Sequence, residues 1–351
     1  MRVVEKRKIQ LVGKSTLTVS LPNAWVKKLD LKKGDFVSII MENNSSLTIL
    51  KSSESLEAPK TCLINSDIYQ EKESIKRLII ADYVNGFDII KVISSKRIGN
   101  NVIQAIREAE SRLIGLNVVE ETPSCVTLQC SINLASFPID VVIRRLYMIF
   151  LIMLDGVIQA LKDLNLELVE ETKQREYEAN RMYLLILRLL NEAQKIGISG
   201  VEDVLTITIV ASALERMADW ANKIAEEIEK IEEEGIEVSE KTKNTIENYY
   251  KRIRELSEKA IKSIMNNDAN LANTLINNFK GGLDTEAYSI IRDIPTSTFE
   301  ACLLGRVIWN LQRIGEIIVT IAEAAIDKAV RKEFSIIKLP EFNADLKELT
   351  I

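Results

Sequence analysis

The sequence predicts a multidomain chain. A small β module comes first, a small α/β domain follows, and an all-α region of two tandem three-helix bundles completes it. Three observations carry this. Strand-like alternation with Gly and Pro punctuation fills the first fifty residues, whereas everything after Pro138 has helical period. Nine Lys or Arg against two acids crowd residues 1–33 of a chain whose net charge is −5. A thirteen-residue phrase, LERMADWANKIAE at 214–226, returns in degenerate form 97 residues later as LQRIGEIIVTIAE at 311–323. A repeat of that period implies two copies of one structural unit, each expected to bury its own core.

Residues 1–52 form the first module. Ile9–Val12 and Thr16–Ser20 read as strands, with Gly13 and Lys14 at the bend. Pro22 opens a short helix to about residue 29, because its missing N–H is no loss at a helix start. Lys32, Lys33, Gly34 and Asp35 make a turn, and a second hairpin over 36–41 and 46–50 bends at Asn43-Asn44. Residues 61–135 change character. Strand runs over 61–64, 88–94, 116–121 and 125–132 are separated by helices over 71–84 and 101–114, giving a β-α-β-α-β-β order. No glycine-rich phosphate loop follows any of these strands. Helices are then expected over 139–163, 167–195, 201–234, 239–267, 269–292 (broken at Gly281-Gly282) and 297–331, grouping into bundles over 138–235 and 238–333.

Composition narrows the function. The 351 residues are 46% apolar, enough for large cores, and contain no histidine. That removes histidine zinc sites and Ser-His or Cys-His catalysis. Cys62, Cys125, Cys130 and Cys302 include no CxxC pair and read as small hydrophobes in a reducing cytosol. Cys125 and Cys130 point to opposite faces of one strand, so they do not share a metal. Tyr147, Met148, Phe150 and Met153 read as core. The apolar run at 146–154 is too short to span a membrane, and the expected location is cytoplasmic.

The polar residues of the repeated phrase are its chemistry. Glu215, Asp219, Asn222 and Glu226 step by three or four and share one helix face. In the second copy that face keeps Gln312, Glu316 and Glu323. Such acids either meet water, pair with Arg181, Arg216 or Lys223, or hold something positive.

Two resemblances extend this reading. Arg7-Lys8-Ile9, Gly13-Lys14-Ser15, Val19–Pro22 and Leu31–Asp35 follow the order of the AbrB/SpoVT-type swapped-hairpin DNA-binding domain. That resemblance implies a homodimer with interleaved hairpins, promoter DNA as partner, and Arg7, Lys8 and Lys14 as DNA-contacting residues. The doubled phrase resembles the PhoU family of phosphate-uptake regulators. Glu215 through Asp219 fit its E-x-x-x-D step, and the preceding helix offers Glu176 and Asn180, an Asn where the family has Asp. The resemblance implies an iron, zinc or manganese site at Glu176, Asn180, Glu215 and Asp219, several carboxylates repelling one another until a hard cation bridges them. The second copy, with Gln312 and Gly281-Gly282-Leu283-Asp284, has lost most of these, and only Glu316 remains a ligand candidate. No organic cofactor is implied.

The expectation is a non-enzymatic, DNA-binding transcriptional regulator of phosphate uptake whose bundles sense phosphate status through a metal or a partner. The rival is a signalling adaptor between a phosphate transporter ATPase and other proteins, with the N-terminal module only dimerising. No nucleophile–base pair supports an enzyme.

Overall fold

The computed structural model describes residues 5–13, 15–42, 46–51, 59–132, 137–196, 201–294 and 298–332. The chain falls into two compact units, residues 1–60 and 61–351.

In the first unit β1 (Gln10–Val12) pairs antiparallel with β2 (Thr16–Thr18), and β3 (Val37–Glu42) with β4 (Ser46–Lys51). Gly13, in the left-handed region at φ 69°, makes the first bend. Helix α1 (Asn23–Lys28) starts one residue later than expected: Pro22 is still extended and caps it, its carbonyl accepting from the Trp25 and Val26 amides. The Asp35 carboxylate accepts from the Lys32 amide and closes the turn. Among the described residues no side chain of this unit is fully buried. Ile9, Leu11 and Leu17 are each more than 60% exposed, and so are Phe36, Ile39 and Leu47.

The second unit begins with the expected α/β element order. β5 (Thr61–Asn65), α2 (Lys72–Val84), β6 (Ile89–Ile93), α3 (Asn100–Arg112), β7 (Leu116–Glu121) and β8 (Cys125–Cys130) give a sheet of order β5-β6-β8-β7. Only β5 and β6 run parallel, joined by α2, as a parallel pair requires a crossover. α2 and α3 pack on one face over Ile75, Ile79, Tyr83, Ile90, Ile106 and Leu128, all buried. Cys130 is buried in this core and Cys125 half-buried.

The helices that follow are α4 (Ile139–Asp163), α5 (Leu166–Ile196), α6 (Val201–Glu233), α7 (Glu240–Asn266), α8 (Ala269–Asn278), α9 (Asp284–Arg292) and α10 (Thr298–Lys332). The expected break is a π-turn, Phe279–Leu283, carrying both glycines between α8 and α9. Tyr249 of α7 donates to the Leu283 carbonyl at 3.2 Å and anchors that turn.

Two expectations need correction. The two copies of the repeat do not bury separate cores: one apolar cluster runs from Val142 through Ala325. The reason is the long α6, which packs along α10 and presents apolar residues to both halves. Arg306 of α10 reaches the buried Glu227 of α6 at 2.8 Å, and Arg254 of α7 reaches Asp155 of α4 at 2.9 Å. Met148 is not core. Tyr147, Phe150 and Met153 are buried, but Met148, about 100° further round α4 than Tyr147, is 49% exposed.

The α/β domain docks on the bundles. Arg188 of α5, buried, donates to the Tyr83 and Phe87 carbonyls at 2.8 and 2.9 Å, and lies over the Tyr83 ring. Asn191 donates to the Val84 carbonyl, and Tyr177 to the Ser111 hydroxyl.

Candidate functional site

Helical spacing places Glu215 and Asp219 one turn apart on α6, and Glu176 and Asn180 one turn apart on α5. Packing of α5 against α6 brings the two pairs together. Burial, then the charges of Asp219 and Glu176, pushes the Glu215 carboxyl up to about 7. Burial, then Glu176, raises Asp219 as well. Three acids from two helices therefore share one half-buried field. Asn180 turns its amide toward Glu176 at 3.3 Å, which leaves its carbonyl oxygen free of that bond.

The cations that might neutralise this field do not close on it. Arg216 acts on Glu215 and Asp219 only at a distance, and Lys223 reaches Asp219 the same way. The Lys223 ammonium sits over the Trp220 ring, 3.8 Å from its centre. Arg181 is not among the groups that shift either acid. Further along the face, Asn222 bonds Glu226 at 3.4 Å, and Lys173 of α5 takes Glu229 of α6 at 2.7 Å. The open acidic site thus ends near Asn222. Among the described residues no three His, Cys, Asp or Glu side chains are already gathered closely enough to cage a metal. The donor set is nevertheless of the right kind: oxygen only, anionic, and lacking a hydrogen-bonded cation.

The second copy is closed. Gln312, at the position equivalent to Glu215, is buried and donates to the Asp284 carboxylate at 2.6 Å. Glu316, equivalent to Asp219, is taken by Arg313. One amide and one guanidinium thus occupy what two carboxylates leave open in the first copy.

In the first unit Arg7 pairs with Glu5, and Lys8 is exposed just before β1. Lys14 lies outside the described residues. Sequence reasoning missed Glu227. Its signal was positional: a glutamate spaced with Ile224 and Ile231 on the apolar face of α6 must find a cationic partner, and Arg306 and Lys230 reach in to it from the surface.

With this geometry in place, similarity to known proteins can be read against it. Residues 143–228 match the family described as PhoU domain, and residues 10–56 match the one described as Antidote-toxin recognition MazE, bacterial antitoxin. The chain carries a PhoU domain behind a MazE/AbrB-like domain. The PhoU match covers α4 to α6, the copy whose acids are open. Solved structures that align with the chain include PhoU from Pseudomonas aeruginosa, at 18% identity and TM-score 0.48, covering 56% of this chain and 96% of that one. The phosphate transport system regulatory protein PhoU from Streptococcus pneumoniae aligns at 19% identity and TM-score 0.46, covering 57% and 96%. No curated protein matches the sequence. Among the described residues no helix is long and apolar enough to cross a membrane.

Proposed function

We propose that this protein is a homodimeric, cytoplasmic, DNA-binding regulator of phosphate uptake, in which the PhoU domain senses phosphate status and the MazE/AbrB-like unit binds promoter DNA. One observation carries the reading. The chain joins a basic β unit that buries no described side chain to a PhoU domain holding three carboxylates without a bonded cation. A second copy of the chain would cover the exposed strands of the first unit and present two sets of basic loops to the phosphates. Glu176, Glu215 and Asp219, with the Asn180 carbonyl, would supply the oxygen ligands of a divalent cation such as iron, zinc or manganese once drawn together. A cation there would supply charge neutralisation and draw α5 and α6 together.

The test titrates promoter DNA with the full chain across a range of salt concentrations. Replacing Arg7, Lys8 and Lys14 together by Ala should lower affinity and reduce the salt slope by about 0.9 for each phosphate no longer neutralised. An unchanged affinity and slope would move the DNA surface elsewhere or remove it. A second reading has its own support, since the PhoU match lies wholly within the helices and owes nothing to the first unit. In it the helices dock on a phosphate transporter ATPase and the first unit only dimerises. Co-purification of that ATPase, with no DNA binding, would favour it.

A further inference from the structure

The seam between the α/β domain and the helices holds a cleft of about 490 Å³, within the usual size of small-molecule sites. Ile114, just past α3, closes one side, and the turn into α4 at Phe137 closes another. Val142 of α4 and Met182 and Leu185 of α5 form an apolar floor, and all three are buried.

Two guanidinium groups line this floor, Arg145 from α4 and Arg181 from α5. Among the described residues neither has an ion pair or a hydrogen bond. Other arginines of this unit, Arg107, Arg175, Arg252, Arg254, Arg306 and Arg313, each hold a carboxylate. The Nε of Arg181 is shut off from solvent and has no acceptor. The one acid in the lining, Glu178, is exposed and bonds neither arginine. The lining therefore carries a net single positive charge above an apolar floor.

We propose that this cleft binds a small organic monoanion, a carboxylate on an apolar body, its charge held by Arg145 and Arg181 and its body lying on Phe137, Val142, Met182 and Leu185. The single net charge favours a carboxylate over a phosphate dianion. The apolar floor favours a ligand with a hydrocarbon part over a free inorganic ion. Such a ligand touches both the α/β domain and the helices it docks on.

Octanoate is a direct probe, titrated calorimetrically into the full chain below its micelle concentration. Octan-1-ol keeps the body without the charge, and inorganic phosphate keeps a charge without the body. One octanoate site per chain is expected, with octanol and phosphate each at least tenfold weaker. Arg181→Gln and Arg145→Gln should each weaken octanoate tenfold or more, whereas Arg97→Gln, on an exposed loop, should not. Arg145 is exposed on a helix, so its variant remains informative if Arg181→Gln fails to fold. No saturable octanoate binding, octanol binding as tightly as octanoate, or full affinity in Arg145→Gln would each overturn the assignment.

Discussion

At the scale of single residues, Glu215 carries the clearest electrostatic signature. Its carboxyl titrates near 7 in the fold against an ordinary value of 4.5. The folded state therefore holds a proton that the unfolded chain has released between those values. The stability this one group contributes is fully present below about 4.5 and is lost as pH rises to about 7. At about 1.4 kcal/mol per unit, and allowing for solvent screening, the loss is on the order of 2 kcal/mol. Glu215→Gln should flatten that slope and leave the protein more stable than the parent at pH 7.5. Denaturation midpoints measured from pH 4.5 to 7.5 test this, and a variant that keeps the parent slope would assign it to another group. The helical spacing already put Glu215 and Asp219 on one face and carried Arg181, five residues past Glu176, about 140° away from it. What the spacing did not show is that Arg181 then lines a cleft with Arg145 of α4, because that depends on how α4 packs on α5.

Among the elements, the π-turn between α8 and α9 and the α10 segment facing it fit together through a missing side chain. A Cβ at Gly315 would lie 2.3 Å from the Phe279 ring and 2.9 Å from the end of Ile253. Gly315→Ala should cost about 1–3 kcal/mol by overpacking, although alanine is the better helix former. Gly156 is the control, because a Cβ there meets only the Thr172 hydroxyl at 3.5 Å. Gly156→Ala should be neutral or stabilise by up to about 1 kcal/mol. Urea titration of both variants decides it, and equal effects would mean that the packing around Gly315 relaxes freely. The elements themselves were largely legible: helix limits from apolar period, the break from Gly281-Gly282, the α/β strands from alternation bounded by turns. The single core was not. The repeated phrase marks two copies, but nothing in its period tells whether the long apolar face of α6 is filled by its own bundle or by α10. In the structure it serves both.

Across the whole molecule, α5 is the shared beam. Its N-terminal half carries Glu176 and Asn180, and its C-terminal half holds the α/β domain through Arg188. Arg188→Ala would take the Arg188 donor from the Phe87 carbonyl and leave the Tyr83 carbonyl with the Gly86 amide alone, at about 1–3 kcal/mol in all. Amide exchange in 83–88 should rise while exchange in α6 and α10 stays slow. Unchanged protection in 83–88 would show that Tyr177, Asn191 and the apolar packing hold the domain without it.

The closed second copy has a consequence for how the chain could change over generations. Duplicated halves ordinarily remain free to part, because each retains what it needs. Here one interior belongs to both, and α10 walls in α6. The later half is thus retained for its shape whatever becomes of its polar face. Gln312 against Asp284 and Arg313 against Glu316 fill that face with ordinary side-chain bonds. One half keeps an open acidic face because the other supplies the wall behind it.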